Sequence, residues 1–173
     1  VFGTAHLRAD ARCLRLVAEG ADETALAYVK LSLAEHLIGL SGCERPHIVW
    51  RGDLPAGTPL PYFREMTVKA VRQLTPRMRR VTLAGENLAR FARGGHHVRL
   101  LLPAGRGQVP VWPVTGEDGR PFWPAGAARP AARIYTIRRI DVDGGEVDID
   151  FVLHEGDHPG ARFAREAAAG ERV

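Results

Sequence analysis

The sequence predicts an α+β unit followed by a mainly-β Greek-key barrel. Three observations predict it. An apolar stripe at helical spacing, Leu26, Val29, Leu33, Leu37 and Leu40, stands near the start. Residues 54–61 hold three prolines and a glycine, which stiffen an extended boundary. Beyond them the chain breaks into short runs of period-two alternation punctuated by Gly, Pro and Asp. The expected organisation is a small α+β domain at 1–53, a proline-rich linker at 54–61 and a β-barrel domain at 62–173.

Residues 4–9 and 12–18 alternate weakly and fit two antiparallel strands. Asp22 is placed to cap the helix, whose stripe Ala27, Leu31, Ala34 and Ile38 widen, and Gly42 to end it. His36, a lone histidine at the edge of that surface, reads as a packing residue. Residues 47–51 read as a third strand. In the second unit, Met66, Val68 and Ala70 alternate and Pro76 ends their strand. The next strand begins at Val81. Residues 86–91 form a polar turn or short helix, and 96–102 alternate again. Residues 103–128, rich in proline and glycine and holding Trp112 and Trp123, read as a long loop.

Arg133-Ile134-Tyr135-Thr136-Ile137 is a strand by composition, closed by Pro130 and by Asp143-Gly144-Gly145. Arg133 and Tyr135 share a face about 7 Å apart. The pair suits a ligand with a phosphate and a flat ring: a planar fork of donors for oxygens, and a ring for stacking. Residues 146–153 alternate, with Val147, Ile149, Phe151 and Leu153 inward. Glu146 and Asp148 read as a solvated acidic face. Pro159 then sits at a first helical position, and Gly170 ends the helix. Its start offers unpaired N–H groups and a positive dipole end to an anion.

Arg-x-Tyr-Thr at 133–136 resembles the flavin signature of ferredoxin-reductase-like flavoproteins. The run 133–139, followed by Asp150-Phe151-Val152-Leu153-His154, resembles one branch of them, the siderophore-interacting proteins or ferric-siderophore reductases. Pro76-Arg77-Met78-Arg79-Arg80 resembles the same family. The resemblance implies a ferredoxin-reductase-like FAD-binding barrel. It implies FAD as cofactor, with Arg133, Ile134, Tyr135, Thr136, Asp150, Val152, Leu153, His154, Gly160 and Ala161 as binding residues. Thr136 is the candidate catalytic group, reaching the reactive edge of the ring. Where the family often reads Gly-Pro-Ala-Ser-Arg-Trp-Ala, this chain has His158-Pro159-Gly160-Ala161-Arg162-Phe163-Ala164. The serine hydroxyl is replaced by Ala161, and Gly160 permits close backbone approach. The N-terminal unit resembles a small domain of unknown function that is sometimes fused to this family.

The implied activity is electron transfer from NAD(P)H through FAD to a ferric siderophore, releasing Fe²⁺. A flavin- or ligand-binding module without turnover stands as the alternative. Val1 and the turn just before Val173 read as the ends of a fragment, with the NAD(P)H domain expected beyond it: no Gly-rich turn of the dinucleotide-binding kind occurs in the sequence. A formal charge of +4 comes almost wholly from scattered arginines, Lys30 and Lys69 being the two lysines, which argues against a nucleic-acid surface. No apolar run spans a membrane. Cys13 and Cys43 are the two cysteines, read as reduced thiols of a cytoplasmic protein. The seven histidines lack metal-ligand spacing, so no protein-bound metal is expected.

Overall fold

The computed structural model describes residues 2–11, 13–42, 44–105 and 109–173. Cys43 lies outside them. In chain order the elements are β1 (Gly3–Ala9), β2 (Leu14–Gly20), α1 (Glu23–Leu40), β3 (Thr67–Thr75), β4 (Met78–Ala84), β5 (His97–Leu102), β6 (Val114–Thr115), β7 (Pro121–Phe122), β8 (Ala131–Asp141), β9 (Glu146–Val152) and α2 (Pro159–Glu166). They form two units, Val1–Phe63 with Pro113–Trp123, and Arg64–Trp112 with Pro124–Val173.

In the first unit β1 and β2 pair antiparallel from Gly3↔Gly20 to Ala9↔Leu14. The Asp22 carboxylate accepts the Ala25 N–H at 2.7 Å, the cap that the sequence predicts for α1. α1 buries part of the predicted apolar surface, at Ala27, Val29 and Ala34, and departs from it at Lys30 and at its last turn. Ala27, Val29, Lys30 and Ala34 are buried, whereas Leu40 is 84% exposed. Lys30 is tolerated because its ammonium donates to the carbonyls of Asp53 and Leu54 and lies 5.5 Å from the centre of the Trp50 ring. Burial pulls its pKa down, with the Asp53 charge opposing. His36 is exposed rather than packed, its Nδ1 2.6 Å from the Ser32 carbonyl.

The predicted strand at 47–51 does not form. Trp50 instead uses its backbone N–H on Glu117 O and its indole N–H on Asp118 O, both at 3.0 Å. Those acceptors lie in the β6–β7 hairpin, inside the stretch expected to be a loop. Gly57 donates to Thr115 O and Thr115 to Thr58 O, each at 2.8 Å. Residues 54–61 are thus stitched to the hairpin by backbone hydrogen bonds within this unit, where the sequence reading has a linker.

The second unit is a five-stranded antiparallel sheet of order β3-β4-β9-β8-β5. β5, β8 and β9 lie side by side and β4 returns beside β9, which is Greek-key order. The C-terminal residues extend the sheet past β3: Met66 and Val173 exchange hydrogen bonds of 2.7 and 2.8 Å, and Val68 donates to Glu171 O. Alternation puts Val68, Val81, Leu83, Leu102, Val147, Ile149 and Phe151 inward, joined by Leu88, Ile137, Ala164 and Ala167. α2 is laid on this core through Ala164, with Phe163 beside it, so the open side of the sheet is covered by a helix.

Candidate functional site

β8 changes partners along its length. Residues 131–136 pair with β5, from Leu102↔Ala131 to His97↔Thr136. From Ile137 on the strand pairs with β9, with a bulge at Arg138. β9 keeps β4 beside it along its whole length, but Asp150, Phe151 and Val152, opposite Arg80, Arg79 and Met78, have no β8 partner. The two strands therefore splay apart at Ile137–Ile149. Ile137 N donates to His96 O at 2.7 Å. Antiparallel alternation then turns the N–H and C=O groups of Ile134 and Thr136 away from β5, toward the gap that β9 has left.

A cleft of about 560 Å³ occupies that gap. Arg133, Ile134, Tyr135, Thr136, Asp150, Val152, His154, Gly160 and Ala161 all line it, so nine of the ten residues singled out in the sequence meet in one place. Leu153 does not line it. The strand turns its side chain to the core, and its N–H donates to Arg77 O at 2.8 Å. Ile137, Arg138 and His158 line the cleft as well. The sequence reading does not single these out; period two from Ile134 and Thr136 is the signal for Arg138, and Pro159 at the first helical position, which makes His158 the N-cap, is the signal for His158.

Tyr135 is half-buried. Its ring lies 4.3 Å from Phe151, tilted by 45°, and Phe151 in turn meets Phe163 of α2 at 5.7 Å. The Tyr135 hydroxyl sits where a side chain on Gly160 would begin: a Cβ built there comes within 1.9 Å of it. Burial pushes the Tyr135 phenol pKa up, the Arg133 charge opposing. The phenol therefore stays neutral at physiological pH.

The cleft favours anions. Arg133 and Arg138 line it, with one Arg133 nitrogen donating to Ala132 O at 2.8 Å. The acid in its lining, Asp150, is held bidentate by Arg80 at 2.7 and 2.8 Å. α2 begins at Pro159, and no side chain caps it. The N–H groups of Gly160 and Ala161 belong to the orphan first turn, and both residues line the cleft. Arg79 holds the other end of this helix, donating to Ala164 O at 2.8 Å and to Arg165 O. Arg165 ties the preceding turn through His154 O at 3.0 Å and Gly156 O at 3.1 Å. The run 77–80 thus acts on the cleft from behind, through α2 and Asp150.

Asp148 and Glu146 correct the reading of β9 as a solvated acidic face. Asp148 is 5% exposed and accepts from Arg139 Nε at 2.8 Å and Thr82 Oγ1 at 2.7 Å. Glu146 binds Arg139 at 2.9 Å and also Lys69. Burial, the largest single influence, would raise the pKa of Asp148; the Arg139 and Thr82 hydrogen bonds and the charges of Arg139 and Arg80 together outweigh it and hold the carboxyl below its ordinary value. Among the described residues no group of three or more His, Cys, Asp or Glu could hold a metal, and no helix is long and apolar enough to cross a membrane.

Residues 67–173 match the siderophore-interacting FAD-binding domain family. The chain is 31% identical over 114 residues to the ferric vibriobactin reductase ViuB of Vibrio cholerae, covering 65% of this chain and 41% of that one. It is 34% identical over 113 residues to the NADPH-dependent ferric-chelate reductase of Escherichia coli K12, covering 64% and 42%. A solved siderophore utilization protein from T. fusca is 36% identical, over 63% of this chain and 41% of that one, with a TM-score of 0.49. The chain thus spans about two fifths of the length of these relatives. The matched segment contains every residue of the cleft, and this chain belongs to the siderophore-interacting FAD-binding domain family.

Proposed function

We propose that this chain is the FAD-binding part of an NAD(P)H-dependent ferric-siderophore reductase acting in the cytoplasm. One observation carries the reading: the gap between β8 and β9 gathers an arginine fork, a neutral phenol and an uncapped helix start in one cleft. That donor set fits a dinucleotide with a negatively charged bridge and a flat ring. Arg133 and the Gly160 and Ala161 N–H groups would hold the pyrophosphate. Tyr135 and Val152 would flank the ring system, and Asp150 and His154 the polar chain between ring and phosphate. Thr136 would offer its hydroxyl and backbone N–H to the reactive edge.

When bound, FAD supplies acceptance of an electron pair from a nicotinamide and release of single electrons to Fe³⁺. Siderophores grip Fe³⁺ through hard oxygen donors, so reduction to Fe²⁺ loosens the chelate without any protein ligand to iron. The names of the Vibrio and Escherichia relatives support a ferric chelate as acceptor and a nicotinamide as donor.

The test has two parts. The purified protein should carry a flavin absorbance band after FAD loading and gel filtration. With the whole-length protein, a nicotinamide and a ferric siderophore, a ferrous-specific chelator should then report Fe²⁺. No retained flavin would overturn the reading at its base. Retained flavin without Fe²⁺ from any nicotinamide, with the whole-length protein, would leave a binding module.

A further inference from the structure

We propose that His97 is a positioning residue for the Thr136 hydroxyl and sets whether that hydroxyl donates or accepts at the cleft; this rests on the FAD reading above. The two residues are direct cross-strand partners at the end of the β5–β8 ladder. Thr136 Oγ1 and His97 Nδ1 lie 3.2 Å apart. Thr136 lines the cleft, and His97 does not. The histidine therefore reaches the site through the threonine.

A threonine hydroxyl has one proton and two lone pairs, and its branched Cβ restricts χ1. Its direction is thus set by whatever takes its proton or fills a lone pair. An Nδ1 that carries hydrogen donates to Oγ1, and the threonine proton is left to point into the cleft. A bare Nδ1 takes that proton, and Oγ1 then presents only lone pairs. The tautomer of His97 is in this way transmitted as the polarity of one group at the ligand. An acceptor atom on the bound ring is matched by the first state and opposed by the second. Alanine at position 97 would leave the hydroxyl free to rotate, and the preference would be lost.

The test uses the flavin-loaded protein with His97→Ala, His97→Asn, Thr136→Val and the double variant His97→Ala/Thr136→Val. The readouts are the visible spectrum and the midpoint potential of the bound flavin, with the FAD dissociation constant measured alongside. His97→Ala should shift spectrum and potential in the same sense as Thr136→Val, and adding it to Thr136→Val should shift them no further. His97→Asn, whose amide falls near the place of Nδ1, should keep most of the wild-type values. The dissociation constant should move by less than about tenfold in each single variant. An unshifted potential in His97→Ala, or fully additive shifts in the double variant, overturns the proposal while leaving FAD binding intact. Failure of the wild-type protein to take up flavin overturns both readings together, which is how the two are told apart.

Discussion

Gly160 is where backbone and side chain compete for one volume. A Cβ there meets the Tyr135 hydroxyl at 1.9 Å and its Cζ at 3.1 Å. Gly160→Ala must push Tyr135 off Phe151 or shift the start of α2. The expected cost is about 1–3 kcal/mol, as for other overpacked sites, together with weaker FAD binding. Gly160→Ala combined with Tyr135→Phe removes the closest atom and should recover much of the loss in thermal unfolding. Equal stability of the two variants would show that Tyr135 is not what the methyl strikes. The sequence reading takes Gly160 as permitting close backbone approach to a phosphate; that the Tyr135 hydroxyl stands beside it depends on how β8 and α2 meet, which no local pattern encodes. Arg133 is the more direct case. It lines the cleft, so Arg133→Ala should weaken FAD binding by about 2–3 kcal/mol, the range for a charged hydrogen bond. An unchanged dissociation constant in a flavin-fluorescence titration would remove it from the site.

β9 illustrates what alternation can and cannot reveal about an element. Period two correctly put Val147, Ile149 and Phe151 in the core, yet it made Asp148 solvent-facing when it is buried. The reason is the partner strands: β4 brings Arg80 and Thr82, and β8 brings Arg139, across from the acids. The register of neighbouring strands is a tertiary fact, absent from the strand's own residues. The β6–β7 hairpin escaped for a related reason, since strands of two residues have no measurable period. A pH dependence follows from the acids. Asp148 and Glu146 are both held below their ordinary values, Glu146 by hydrogen bonds from Lys69 and Arg139. Their folded pKa values lie below the unfolded ones. The stability they contribute is thus complete above the ordinary carboxylate range, about pH 4, and is lost as pH falls through the folded values. Urea midpoints of the wild type should hold between about pH 5 and 7 with respect to these groups and fall below about pH 4. Asp148→Asn should start lower and fall less steeply on the acid side. Parallel acid limbs for the two proteins would exclude Asp148 as a source of the slope.

At the scale of the whole chain, the sheet is antiparallel at every described pairing, and the cleft is the one consequence of its topology that bears on chemistry. Greek-key order makes β8 serve β5 at one end and β9 at the other, and a ligand site opens where it switches. The motif residues could be read from the sequence because they stand in two short runs and one helix start; the switch that unites them could not. The same topology limits what these residues do alone. A nicotinamide site of the doubly wound kind needs parallel strands and a Gly-rich turn at a helix N-terminus. Among the described residues no strand pair is parallel. Hydride transfer needs the nicotinamide held about 3–3.5 Å from the flavin, and such positioning is worth several kcal/mol of barrier. Residues 1–173 expressed by themselves and loaded with FAD should therefore be bleached by excess NADPH no faster than free FAD. The comparison is anaerobic absorbance in the flavin band, with free FAD as the floor and the Escherichia ferric-chelate reductase, whose name states its NADPH dependence, as the ceiling. Bleaching of the 1–173 chain at the rate of that relative would mean that a nicotinamide is held by the antiparallel sheet or by the first unit. The search for its binding residues would then move to those elements.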